Sequence, residues 1–392
     1  METIINTANG IAAKAVQMAR PKVVAAYPIT PQTVVVEAIA KHVETGELDA
    51  EFICVESEHS AMAATIAASA TGVRTFTATS SHGLLLMHEM VHWAALARLP
   101  VVMVNVNRTV GPGWNIWADN NDSMSQRDTG WMQVHCASNQ EVFDSIIQAY
   151  KLAEDGRVQL PIMVNYDGFI LSHTSMPVDI PSQAEIDAFL PERVPCWSID
   201  PKNPVSHGNL VPPEYYMEHR ASMQNAHMAA KELFPKLANE WKEKFGIYHG
   251  GLIEDYKLDG AEYVIVTLGT LGAEAKVSVD ELRKAGHKVG LARIRMFRPF
   301  PAEEILRIAK GRKSLVVIDR NISPGYEGVT FTETKSVLYG NSNVPVYGYI
   351  AGLGGRDVTY KHIIDIAMEA VNGKASPDVT KWWGLKENEV IS

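Results

Sequence analysis

The stretch Lys22-Val-Val-Ala-Ala-Tyr27, stopped by Pro28-Ile29-Thr30-Pro31, decides the reading of the first half of the chain. A short apolar run ended by proline predicts a buried strand, and the helical spacing of Thr33–Val43 predicts a helix behind it. The same alternation continues outward. Glu51–Val55, Thr75–Thr79, Pro100–Val106 and Leu160–Asn165 read as strands. His59–Ala70, Leu84–Ala97 and Gln140–Ala153 read as helices. Buried strands alternating with helices give an α/β class with a parallel sheet covered on both faces. From Pro181 to Tyr256 prolines cluster and one long helix, Pro213–Phe245, follows. Alternation resumes near Ala261, with strands at Tyr263–Leu268, Val289–Ile294, Ser314–Ile318 and Val344–Ile350 and helices at Gly272–Ala285 and Ala302–Ala309. The expected division is a first domain over 1–185, a linker with the long helix over 186–258, and a second, smaller parallel-sheet domain over 259–392.

A chain of 392 residues with 46% hydrophobic and 21% charged residues is long and apolar enough for two cores. The net charge of −9 leaves no basic face for nucleic acid. No apolar run reaches membrane-spanning length, and the N-terminal stretch lacks signal-peptide architecture. Asn6 or Thr7 is a candidate cap for a helix starting near Gly10. Cys54, Cys136 and Cys196 form no C-x-x-C pair, so no disulfide framework and no four-cysteine iron–sulfur cluster is expected on this chain. The cytoplasm is the expected setting.

Ligand sites in open α/β sheets lie beyond the carboxyl ends of the strands. The loops there are Tyr27–Pro31, Glu56–His59, Thr79–Gly83 and Asn107–Asp122. Glu58 opens a small-residue helix. It reads either as a favourable acidic first-turn residue or as a buried acid that hydrogen-bonds a cofactor nitrogen. Arg108, at a strand end, is either solvated or a planar clamp for a carboxylate substrate. Thr30, between two prolines, is a simple turn residue or a rigidly held hydroxyl. The irregular stretch Gly111–Asp122 is long enough to be functional, although its tryptophans would also serve to cover an apolar edge. His88 and His92 lie four apart without a third ligand, so no metal is assigned. Gly352–Gly355 lacks the dinucleotide fingerprint and reads as a turn. Ser80 and Ser81 precede His82 without a nucleophile elbow.

Together these loops resemble the alpha subunit of the pyruvate:ferredoxin oxidoreductase family. The similar stretches are YPITP (Tyr27–Pro31), ESEHSA (Glu56–Ala61), FTATSSHGLLLMHE (Phe76–Glu89), QRDTGW (Gln126–Trp131), PPEYYMEHR (Pro212–Arg220), MFRPFP (Met296–Pro301) and AGLGGRDV (Ala351–Val358). The resemblance implies a pyrimidine-type thiamin-diphosphate-binding domain followed by a transketolase C-terminal-like domain. It implies a beta subunit that holds the Mg2+-diphosphate end of the cofactor, and the chain has no GDG and Asn pair of its own for that task. Gamma and delta subunits would carry [4Fe-4S] clusters, and ferredoxin, or a partner with FAD and an NAD link, would take the electrons. The implied reaction is oxidative decarboxylation of a 2-oxoacid with coenzyme A to acyl-CoA and CO2.

On the same resemblance Glu58 bonds the aminopyrimidine N1′, Pro28, Ile29, Ser80 and Gly83 line the cofactor, and Thr30 and Arg108 hold the substrate's oxo and carboxylate oxygens. One departure concerns the substrate loop. Pyruvate-using members read NRALSAPINIW, whereas Asn107–Trp117 here places Gly111 and Gly113 before Asn115. Glycines make room, so a branched or aromatic acid such as phenylglyoxylate is expected beside the family default, pyruvate. Two competing readings are a thiamin-dependent transferase or dehydrogenase component without iron–sulfur partners, and a non-catalytic structural subunit.

Overall fold

A computed structural model describes residues 1–377 and 379–390; Asp378 and the last two residues of the expected second domain lie outside the described residues. The larger sheet has seven strands in the spatial order Met296–Arg298, Met132–His135, Ile162–Asp167, Val102–Asn107, Thr75–Thr79, Val23–Ala26 and Glu51–Cys54. All neighbours pair in parallel except Met296–Arg298, which runs antiparallel to Met132–His135. A six-stranded sheet follows the order Lys381–Trp382, Val346–Ile350, Ser314–Asp319, Tyr263–Leu268, Val289–Ile294 and Ile253–Tyr256, antiparallel only at the last pair. Its central strands Ser314–Asp319 and Tyr263–Leu268 are apolar on both faces. Val264, Val266 and Val317 face the helices Ala302–Ala309 and Val329–Leu338, while Ile265, Val316 and Ile318 face Gly269–Lys284 and Tyr360–Val371. Burial on both faces is what parallel strands require. Among the described residues no helix is long and apolar enough to cross a membrane.

Several expectations need correction. Glu51–Cys54 is an edge strand with Ile53 at 38% exposure and Cys54 also exposed, because only one neighbour covers it. The helix expected over Leu84–Ala97 is two helices, Ser81–Leu86 and His88–Leu96, separated at Met87, whose backbone (φ −86, ψ 6) leaves the helical region while its side chain is fully buried. The chain start forms a strand, Glu2–Thr7, antiparallel to Ser175–Ile180. Thr7 then caps the helix Ala8–Ala19, its hydroxyl accepting from Gly10 N at 3.3 Å. The expected long helix, Pro213–Phe245, packs onto the seven-stranded sheet, with Met223, Ala230, Phe234, Trp241 and Phe245 buried in its core.

The two sheets are clasped by charge. Glu141, at the start of helix Asn139–Ala153, lies 3.0 Å from Arg293 Nη2 and 2.5 Å from Arg295 Nε, and all three side chains are 1% exposed. Arg293 also reaches Glu254 at 2.7 Å. Burial raises the cost of the Glu141 charge, but the two guanidiniums overcome it and hold the carboxyl well below its usual range. A carboxyl depressed in the folded state stabilises the fold above its ordinary value of 4.5, and that contribution is lost as pH falls through and below it. Glu141→Gln leaves the buried Arg295 without its paired carboxylate and Arg293 with Glu254 alone, and is expected to destabilise the chain by about 3–5 kcal/mol. Thermal unfolding of the assembled protein at pH 4–8 checks this: the variant should melt lower at neutral pH and lose less than the wild type on acidification.

Candidate active site

The loops at the carboxyl ends of Val23–Ala26, Glu51–Cys54, Thr75–Thr79 and Val102–Asn107 converge. In the first, two successive carbonyls are held from below: Arg108 Nη1 donates to Thr30 O at 2.6 Å and Asn9 Nδ2 to Pro31 O at 2.7 Å. Gln32 secures the loop by accepting from Ile29 N and donating to Ala78 O. Pro28 and the Thr30 side chain are exposed and Ile29 is half-buried, so the ring, the hydroxyl and the apolar side chain stand at the mouth of the cleft.

Ser57 caps the helix Glu58–Ala70 by accepting from Ser60 N at 3.2 Å, which fixes Glu58 in the first turn. Its carboxylate is buried, at 6% exposure, and among the described residues receives no hydrogen bond. Gly83 lies against it: a Cβ there would come within 2.5 Å of Glu58 Oε1 and 2.6 Å of Thr79 Oγ1. Thr79 Oγ1 is itself buried without a partner among the described residues. A buried carboxylate lacking a donor is costly unless a ligand brings one. This corner therefore suits a protonated ring nitrogen, as the aminopyrimidine of thiamin diphosphate offers. Ser80, by contrast, spends its hydroxyl on Val106 O at 2.7 Å, so only its backbone faces the cleft wall.

Arg108 is 5% exposed and sits in a cage. Its Nη1 is on Thr30 O, its Nη2 lies 3.2 Å from His82 Nδ1, and the Trp114 ring centroid is 4.9 Å from its guanidinium carbon. Its Nε is buried and has no partner among the described residues. Because an arginine only donates, His82 Nδ1 accepts from it, while His82 Nε2 lies 3.0 Å from Gly111 N and 3.4 Å from Gly111 O. Burial pulls the guanidinium below its ordinary value, opposed by the charges of Asp122 and Glu58.

Asp122, which sequence reasoning passed over, holds the frame. Its Oδ1 accepts from Asn107 Nδ2 and Ser123 N, each at 2.7 Å, and its Oδ2 from Ser81 N and Arg108 N at 3.1 Å and Asn105 Nδ2 at 3.3 Å. Ser81 has φ 48, in the left-handed region that a residue with a Cβ adopts at a cost, and the bond to Asp122 holds it there. Burial pushes the Asp122 carboxyl up to about 7, against the N–H groups that pull it down. The signal was legible: VMVNVN puts amides at 105 and 107 on one face of a buried strand, and buried amides need partners.

The substrate loop does not open a pocket as its glycines suggested. A Cβ on Gly111 would lie 2.6 Å from Trp114 N and 2.7 Å from Trp114 Cβ, so Trp114 fills that space, and Gly113 adopts φ +81 so that the chain can turn there. Asn115 faces away, donating to Gly354 O at 3.0 Å in the turn Leu353–Gly355 of the second sheet. His88 bonds Gln126, and among the described residues no histidine, cysteine or carboxylate group could hold a metal.

Residues 14–239 match the model of the thiamine-diphosphate-binding domain of pyruvate flavodoxin/ferredoxin oxidoreductases, and residues 261–363 that of pyruvate:ferredoxin oxidoreductase core domain II. The ketoisovalerate oxidoreductase subunit VorA of Pyrococcus abyssi is 50% identical over 384 residues, covering 96% of both chains. The pyruvate synthase subunit PorA of Methanothermobacter thermautotrophicus is 46% identical over 381 residues, covering 97% of this chain and 98% of its own. A 2-oxoglutarate:ferredoxin oxidoreductase from Magnetococcus marinus, solved with 2-oxoglutarate, coenzyme A and succinyl-CoA, has the same fold (TM-score 0.73, 18% identity); the match covers 94% of this chain and 65% of that longer one. The chain belongs to the pyruvate:ferredoxin oxidoreductase family. It is a subunit of a 2-oxoacid oxidoreductase complex and carries the thiamin-diphosphate-binding domain.

Asp122→Ala removes the acceptor of five N–H donors in one buried place. It is expected to destabilise the fold by about 3 kcal/mol or more and to open the 109–118 loop. Chemical unfolding reads the first effect, and limited proteolysis with mapping of the cut sites reads the second.

Proposed function

We propose that this chain is the alpha subunit, with the 1–185, 186–258 and 259–392 division, and supplies the activating and substrate-holding half of the active site. The observation that carries the reading is the buried Glu58 carboxylate, without a hydrogen bond and pressed against Gly83, beside a caged Arg108. Thiamin diphosphate supplies, when bound, a carbon nucleophile and an electron sink for loss of CO2. Glu58 accepts from its pyrimidine N1′ and keeps that nitrogen protonated, which favours the tautomer needed for activation. Pro28, Ile29, Ser80 and Gly83 shape the wall around it.

Arg108 has five N–H groups. Thr30 O and His82 take two of them, and the remaining Nη1 and Nη2 N–H groups meet the substrate carboxylate as a fork. The Thr30 hydroxyl, without a partner among the described residues, meets the oxo oxygen. A beta subunit holds Mg2+ and the diphosphate. Coenzyme A takes the acyl group, and electrons leave through [4Fe-4S] clusters on gamma and delta subunits to ferredoxin, or through a flavin and NAD-linked partner. Support for coenzyme A comes from the Magnetococcus structure solved with it. The acidic chain and its free cysteines suit a reducing cytoplasm.

We take the substrate to be a branched 2-oxoacid. The ketoisovalerate-named relatives, 49–50% identical, support this over pyruvate. Steady-state assays of the purified complex test it: kcat/KM should be higher for ketoisovalerate than for pyruvate or phenylglyoxylate, and a clear preference for pyruvate would reject the substrate. Glu58→Ala should lower turnover by several orders of magnitude while the subunits still assemble. Arg108→Lys keeps charge but loses the fork, so KM should rise more than kcat falls; an unchanged substrate dependence would count against the clamp.

A further inference from the structure

The aromatic ring over the arginine has a role that neither the fold nor the carboxylate clamp demands. Trp114 is 51% exposed although it stacks on a buried guanidinium. Its ring lies against Arg108 and packs perpendicular to the His82 ring at 5.7 Å and 88°, and about half of the side chain is left accessible. Three features fix it there. Gly111 yields the space that Trp114 N and Cβ occupy, and Gly113 turns the chain at φ +81. The loop is then tied on its far side, where Thr109 Oγ1 donates to Asn115 O at 2.6 Å and accepts from Asn115 N at 2.8 Å. Asn115 is in turn anchored to Gly354 O. An exposed tryptophan held by such a set of constraints is costly to place for solubility alone.

We propose that Trp114 is the specificity-determining residue of the site: its indole forms the apolar wall against which the side chain of a branched aliphatic 2-oxoacid packs. The inference rests on the proposed role of Arg108 as the carboxylate clamp. A carboxylate held by Arg108 puts the rest of a small 2-oxoacid within a few ångströms of the ring that stacks on that arginine. An aromatic face favours contact with methyl groups and offers nothing to a second carboxylate, which separates branched substrates from dicarboxylic ones. It also gives the glycines a purpose, since they shape a wall and not a void.

An isopropyl group carries two more carbons than a methyl, worth about fifteenfold in affinity when fully buried. Removing one of two walls is then a roughly fourfold effect. The test uses the complete complex carrying Trp114→Ala or Trp114→Phe, with kcat/KM and calorimetric binding measured for ketoisovalerate and for pyruvate. The expected result is a ratio of ketoisovalerate to pyruvate that drops roughly fourfold or more in Trp114→Ala and is largely retained in Trp114→Phe, at unchanged cofactor content and melting temperature. An equal loss on both acids, meaning that the ring acts only through Arg108, overturns the proposal, as does an unchanged ratio in both variants. Should the alanine variant fail to assemble, the phenylalanine variant is compared with Trp114→Leu, where loss of the ratio in neither overturns it. Failure of the underlying reading is separate: it appears as absence of 2-oxoacid turnover in the wild-type complex, before any variant is compared.

Discussion

One buried carboxylate organises the cleft. Asp122 gathers N–H groups from the turn after Thr75–Thr79, from both amides of Val102–Asn107, from Arg108 itself and from its own short helix. The first of those segments carries Gly83 and the strand leads into Arg108, both of which line the site. The acceptor is in turn fixed from the second sheet: Asn120 N donates to Arg320 O at 2.9 Å, Ile322 N to Asn121 Oδ1 at 2.9 Å, and Arg320 pairs with Asp167 at 2.8 Å. A site built on loops acquires the rigidity of strands when its backbone donors share one anchor.

The legible part of the fold followed from periodicity. The strands that the alternation revealed and the helix Pro213–Phe245 were read to within a residue or two, whereas Met132–His135, four residues long and fully buried in the seven-stranded sheet, was missed because so short a run shows no period. The strands Glu2–Thr7 and Met296–Arg298 were missed because each pairs with a segment far away in sequence, and a short polar strand declares itself only through its partner. The break at Met87 was equally silent, since the apolar spacing continues across it.

In the site, Glu58, Thr30 and Arg108 were legible as chemistry at strand ends, and they do lie on converging loops. What was illegible was the direction of side chains. Asn115 looks like a cleft residue and points to the second sheet; Ser80 looks like a ligand and bonds the backbone. Gly111 and Gly113 look like empty space, yet the space is used by Trp114. Sequence shows where a side chain is missing, and only the neighbouring backbone shows what moves in.

The antiparallel strand Met296–Arg298 belongs by sequence to the second half and by hydrogen bonding to the first sheet. With Arg293 and Arg295 buried on Glu141 just before it, the two halves are joined by a shared strand and a shared buried charge cluster, so they should denature as one cooperative block.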